Sequence, residues 1–144
     1  MIDEAAMDEA AMAAAGWSRL STTAFSAAIG PSWVRGEPGE RTVALPAHGG
    51  IVNDYGAVVH GGALMTFADV ALGMGAADAL NSGSLVTVQL QYQFVGGVKL
   101  GQLITCQPEL VRRTSSLVFV RGLIRADDEI AGSAEGIFKA LTPK

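Results

Sequence analysis

The sequence predicts an α+β fold in which an antiparallel β-sheet wraps around one long central helix. Three observations predict it. Residues 59–78 form one long apolar stretch at helical length, opened by His60-Gly61-Gly62. Residues 84–95 alternate strictly, with Val86, Val88, Leu90, Tyr92 and Phe94 on one face and Leu85, Thr87, Gln89, Gln91, Gln93 and Val95 on the other. With 84–95, the runs 103–112, 117–125 and 130–141 make four strands after the helix joined by connections too short for parallel crossovers, which predicts that all four meander. The length of 144 residues suits one domain, 1–144, and neither a repeat nor a second domain is visible.

In chain order, residues 3–15 carry acids at the start of an Ala-rich run, the favoured end for them, and read as a helix stopped by Gly16. Residues 1–16 are thus a helical extension, with Met7 and Met12 placed to pack on the body. Residues 22–29 read as a first strand broken by Gly30-Pro31, and 41–45 as a second one. The loop 46–56 holds His48, Asn53 and Asp54 and delivers the chain to the His-Gly-Gly turn. Loops in that position often carry site residues.

The central helix holds the mismatch that points to function. Asp69 sits inside an apolar helix, where an unpaired carboxylate costs several kcal/mol, as an order of magnitude. Gly62, Thr66, Asp69, Gly73 and Ala77 share one face at spacings of three and four, a stripe of small residues around the acid. Gly73 and Gly75 each cost about 1 kcal/mol relative to Ala, which a closely approaching backbone or ligand would explain. At the helix start, Gly61 and Gly62 leave backbone N–H groups uncovered at the positive end of the dipole. Such a terminus suits an anion or a developing oxyanion.

The composition narrows the classes. A net charge of −4 argues against a general nucleic-acid binder, although seven of the ten basic residues fall from Lys99 onward. Any phosphate contact is therefore expected in that part, where Arg112, Arg113, Thr114, Ser115 and Ser116 form a basic, hydroxyl-rich turn. Cys106 is the single cysteine and reads as a small buried residue. The two histidines make no metal motif. The apolar helix is interrupted by His60, Asp69 and Asp78, against a membrane span, and the acidic start is not a secretory signal; a cytoplasmic protein is the expectation.

The order of elements, with His60-Gly61-Gly62 opening the central helix and Asp69 nine residues after the histidine, resembles the hot-dog-fold acyl-CoA thioesterases. The nearest group is the phenylacetate-pathway and 4-hydroxybenzoyl-CoA thioesterase type, over roughly residues 40–141. Thr87, eighteen residues past the acid, also matches. The chain departs from the pattern at Asp54, where Asn or Gln is usual and Asn53 is offset by one, and at Gly97, where proline is usual.

The resemblance implies hydrolysis of a medium-chain or aromatic acyl-CoA to free acid and CoA. It makes Asp69 the general base or the nucleophile, the His60-Gly61-Gly62 terminus the oxyanion site, Thr87 an orienting hydroxyl, and Asn53 a further catalytic candidate. Gly61, Thr66, Arg112, Arg113, Thr114 and Ser115 are the substrate-binding candidates. It implies no cofactor, since CoA is part of the substrate, and a homodimer that forms a dimer of dimers, with the His-Gly-Gly loop and the acid of one site coming from different subunits. Two alternatives stay open: a hot-dog dehydratase of 3-hydroxyacyl thioesters, and a non-catalytic acyl-CoA-binding dimer.

Overall fold

The computed structural model of the chain describes residues 4–141. Helix α1, Glu4–Ala14, ends before Gly16, whose φ of +88° suits only glycine there. Residues 1–3 of the expected extension, and the side chain of Met7, lie outside the described residues. Met12 packs inward as expected.

The expected strand over 22–29 is not one. Ala24–Ile29 forms a 3-10 turn, because three alanines and a serine offer little to a pleated surface and Pro31 cannot feed a ladder. Two short strands instead flank it, β1 (Ser18–Arg19) and β2 (Trp33–Arg35), too short to show alternation. Then follow β3 (Thr42–Pro46), the central helix α2 (Gly61–Leu80) and β4 (Leu85–Phe94).

The run 103–112 also divides. It becomes β5 (Leu103–Cys106) and β6 (Glu109–Arg113), bent at Gln107-Pro108. Both halves pair antiparallel with β7 (Leu117–Ala126), so they act as one folded strand along its edge. Pro108 lies against the helix at Gly75, where an added Cβ would sit 2.5 Å from the proline Cβ. The close approach expected of that glycine is thus a helix–strand contact. Strand β8 (Glu129–Ala140) completes a sheet ordered β1-β2-β3-β5-β7-β8-β4, with β6 beside β7.

Helix α2 lies on one face of this sheet. Leu64, Phe67, Ala68, Ala71, Leu72 and Ala76 are buried at helical spacing against Val43, Leu45, Ile104, Val118, Val120, Ile124 and Phe138. The helix is therefore not buried all round. Thr66, Asp69, Gly73 and Ala77 are half-buried, on the stripe that leaves the core. The helix ends at Asn81, whose left-handed backbone caps the carbonyls of Ala77 and Asp78.

The opposite sheet face carries a second, smaller core of Met12, Trp17, Trp33 and Ala44, with Leu103 packed on it. Arg35 lies 4.1 Å over the Trp17 ring and Arg19 lies 5.5 Å over Trp33, cation–π contacts that shield it. This cluster fastens α1 to the β2–β3–β5 end. It leaves β4 as a ten-residue edge with one side unpaired among the described residues.

The alternation of β4 is corrected by one residue. Val88 is a bulge: Thr87 pairs with Phe138 and Gln89 with Ile137. Leu85 and Thr87 consequently face the helix together with Leu90, Tyr92 and Phe94, whereas strict alternation set Thr87 on the other face.

Candidate active site

Asp69 and Thr87 meet. The Thr87 hydroxyl donates to Asp69 Oδ1 at 2.7 Å, which fixes the carboxylate and leaves Oδ2 without a partner among the described residues. The acid needs no deep burial to be held, since the stripe of small residues leaves it half-exposed. Thr66, one turn earlier, spends its hydroxyl on the Gly62 carbonyl at 2.8 Å and is part of the helix wall.

The helix terminus is built by His60. Its backbone is extended, and its Nδ1 accepts the Gly62 N–H at 2.8 Å, making His60 the N-cap. The Ala63 and Leu64 N–H groups both reach the His60 carbonyl, at 2.9 and 3.1 Å. Gly62 was expected among the oxyanion donors, but its N–H is already taken. The donor this arrangement leaves in the first turn is Gly61. His60 is exposed, and with Nδ1 accepting, its proton is on Nε2.

Asn53 holds the preceding loop closed: its Oδ1 accepts from the Ala57 N–H at 3.1 Å. It lines a hollow beside Gly61 with Val58, Leu64, Phe94 and Gly97. Phe94 was absent from the expected site. Its ring lies so close to Gly61 that an added Cβ there would stand 3.2 Å from Cε1. The available signal was its place as the last aromatic residue before Gly96-Gly97, on the face shared with Tyr92. His48 is structural, accepting from the Gly50 N–H and donating Nε2–H to the Ile29 carbonyl at 2.8 Å.

The basic turn divides. Arg113 donates to the Ala79 carbonyl at 2.6 Å, at the negative end of α2. Thr114 closes the hairpin by accepting the Leu117 N–H at 3.0 Å. Arg112 and Ser115 remain exposed.

Asp69 and Gly61 are eight residues apart on one straight helix. At 1.5 Å per residue that is about 12 Å. One thioester carbonyl cannot touch both within a chain.

The thioesterase superfamily matches residues 56–132, which span the helix terminus, Asp69, Thr87 and Phe94. The chain belongs to this superfamily. Among curated relatives, the acyl-coenzyme A thioesterase THEM4 of Bos taurus is 27% identical over 131 residues, 88% of this chain and 53% of that protein. The chain therefore spans about half the length of that relative. A protein of Bacillus halodurans solved with CoA superposes with a TM-score of 0.68 at 26% identity, over 77% of this chain and 74% of the other. The phenylacetic acid degradation protein PaaI of Thermus thermophilus superposes with a TM-score of 0.66 at 17% identity, over 92% of this chain and all of that one, a likeness of fold. The fold of this thioesterase-superfamily chain is the hot-dog fold, an antiparallel sheet around one central helix.

Proposed function

We propose that the chain hydrolyses the thioester of a medium-chain or aromatic acyl-CoA, as a cytoplasmic homodimer that doubles into a tetramer. The observation that carries this is the Thr87-held Asp69 carboxylate, standing on a stripe of small residues with one oxygen unengaged among the described residues. The solved relative from Bacillus halodurans, described with CoA, supports CoA as the leaving group.

In the general-base route, water oxygen bonds to the thioester carbonyl carbon and its proton passes to Asp69. The carbonyl oxygen takes the negative charge at a Gly61 N–H. Collapse breaks the C–S bond, CoA leaves as thiolate, and the proton held by Asp69 neutralises it. In the nucleophilic route the Asp69 carboxylate attacks the carbonyl carbon, and the C–S bond breaks to release CoA as thiolate and leave a mixed anhydride. Water then opens the anhydride to free acid and Asp69 carboxylate, its proton passing to the thiolate. Both routes use the same groups. No cofactor is required beyond the CoA of the substrate itself. The roughly 12 Å between Gly61 and Asp69 is why the reading requires two subunits per site.

The test is Asp69→Asn, which keeps the shape and removes both base and nucleophile. We expect kcat to fall by about 10²-fold or more, with affinity for a non-hydrolysable acyl-CoA thioether kept or improved. A folded Asp69→Asn protein turning over at the wild-type rate defeats the mechanism. Binding with no thiol release from any aliphatic or aromatic acyl-CoA supports the non-catalytic binder. Formation of an unsaturated thioester supports the dehydratase.

A further inference from the structure

We propose that the hollow between the last turns of α2, the β2–β3 turn and the Pro108 bend is a second binding site, which takes a small organic carboxylate with an apolar body on the Arg41 guanidinium. The inference goes beyond the hydrolase reading. Only its link to the reaction rests on that reading: an acid of this class is what the hydrolysis would release.

Asp69 and Asp78 mark two sides of one helix. Nine residues make about two and a half turns, so the two acids point in opposite directions, about 13 Å apart along the axis. Asp69 faces Thr87 on β4. Asp78 faces the β2–β3 turn: its Oδ2 accepts the Gly39 N–H at 3.1 Å and lies 3.4 Å from Arg41 Nε. A molecule bound beside Asp78 is therefore out of reach of the Asp69 carboxylate.

The hollow is framed by segments from three parts of the chain. The Gly39 bond ties the turn to α2, and the Gln107 side chain ties it to the bend by donating to the Glu40 carbonyl at 3.4 Å. The space enclosed is about 210 Å³. An apolar cavity of about 150 Å³ takes a benzene, so this one has room for a ring and a carboxylate. Met74, Pro108 and Leu110 give it apolar walls, and Leu110 is left 50% exposed.

Arg41 is the polar group that these walls leave unsatisfied. Its side chain is 31% exposed, and its Nε is shut from water yet makes no hydrogen bond among the described residues. Its contact with Asp78 is an ion pair on one edge of the guanidinium. The edge with the two terminal nitrogens suits a carboxylate, which accepts two parallel hydrogen bonds there. Arg113, held on the Ala79 carbonyl, offsets the negative end of α2 next to the hollow. A phosphate dianion fits less well, since it brings a second negative charge toward Asp78 and leaves the apolar walls bare.

Titration of the full chain with benzoate, followed by ¹H–¹⁵N NMR, tests the site. The Gly39, Gly75 and Ala79 amides should shift together and saturably. The same shifts should appear in the Asp69→Asn chain and in the presence of a saturating non-hydrolysable acyl-CoA thioether. Benzamide keeps the ring without the charge, and acetate keeps the charge without the ring. Each should bind at least about 10-fold more weakly than benzoate. Arg41→Met should weaken benzoate by about 10-fold or more, the loss of hydrogen bonds to a charged group. Leu110→Glu leaves Arg41 and Asp78 in place and sets a like charge at an exposed position on the rim, so it should weaken benzoate in a chain that still folds.

No saturable shift at Gly39 up to about 10 mM benzoate overturns the proposal. So do shifts at Gly61 and Thr87 alone that the thioether displaces, equal binding of benzamide or inorganic phosphate, and equal binding by wild-type and Leu110→Glu chains. A chain that hydrolyses no acyl-CoA yet binds benzoate at Gly39 supports the site and removes only its link to the reaction.

Discussion

Thr87 and Asp69, eighteen residues apart in sequence, are joined by a 2.7 Å hydrogen bond that exists because Val88 bulges out of β4. The bond orients one carboxylate oxygen and leaves the other without a partner among the described residues. Thr87→Val keeps the shape and removes the donor. A hydrogen bond to a charged group contributes about 1.5–3 kcal/mol. If most of that acts on the transition state, kcat should fall by about 10-fold or more, while KM and the thermal midpoint stay close to wild type. Steady-state kinetics beside a melting curve checks it, and Thr87→Ser should recover most of the rate.

Arg112 and Arg113 are neighbours with separate work. Arg113 ties the β6–β7 hairpin to the last turn of α2 through the Ala79 carbonyl. Arg113→Ala should lower stability by about 1–2 kcal/mol, readable in urea unfolding. Arg112→Ala should leave stability unchanged and raise KM for acyl-CoA with little effect on kcat, the signature of a contact made equally in ground and transition states. An unchanged KM moves the phosphate contact to Lys99, Arg121, Arg125 or Lys139.

Gly73 and Gly75 should respond oppositely to alanine. At Gly73 a new Cβ meets Phe138 at 3.5 Å, an ordinary contact, and the gain in helix propensity is up to about 1 kcal/mol. At Gly75 it meets Pro108 at 2.5 Å, so the bend between β5 and β6 must shift. Gly75→Ala should cost about 1–3 kcal/mol, as over-packing does. Equilibrium unfolding of the two variants gives the comparison.

Alkaline stability should depend on two buried acids. Burial pushes the Cys106 thiol from 9.0 to about 12. It pushes the Tyr92 hydroxyl from 10.0 to about 12, with a smaller contribution from Cys106. Both groups ionise more readily in the unfolded chain, so the unfolded state binds fewer protons above pH 9 and stability falls with rising pH. It should be full below about pH 9 and decline toward pH 12, by at most about 4 kcal/mol from the thiol. Cys106→Ala should flatten that decline. Tyr92→Phe should flatten it too without loss at neutral pH, because the buried hydroxyl has no hydrogen-bond partner among the described residues.

The sequence by itself determined the central helix, the meander of β5, β7 and β8, and the presence of a carboxylate in the apolar helix. Each rests on local information: a helix needs only its periodic apolar stripe and its cap, and a carboxylate in an apolar run stands out wherever the chain goes. The short connection after β4 set that strand beside β5, whereas it pairs with β8 at the far end of the sheet. The short strands at Ser18–Arg19 and Trp33–Arg35 were decided by tertiary packing, since a strand of two or three residues exists only through its neighbours. So was the division of 103–112, where Pro108 interrupts the ladder and presses on Gly75. The role of each first-turn amide was likewise settled in space, by where the His60 ring turned. The bulge at Val88 is the sharpest case. Alternation sets Thr87 facing away from Asp69, and only the pairing of β4 with β8 fixes the extra residue that turns it inward. Side-chain period is a property of one strand, but register belongs to two.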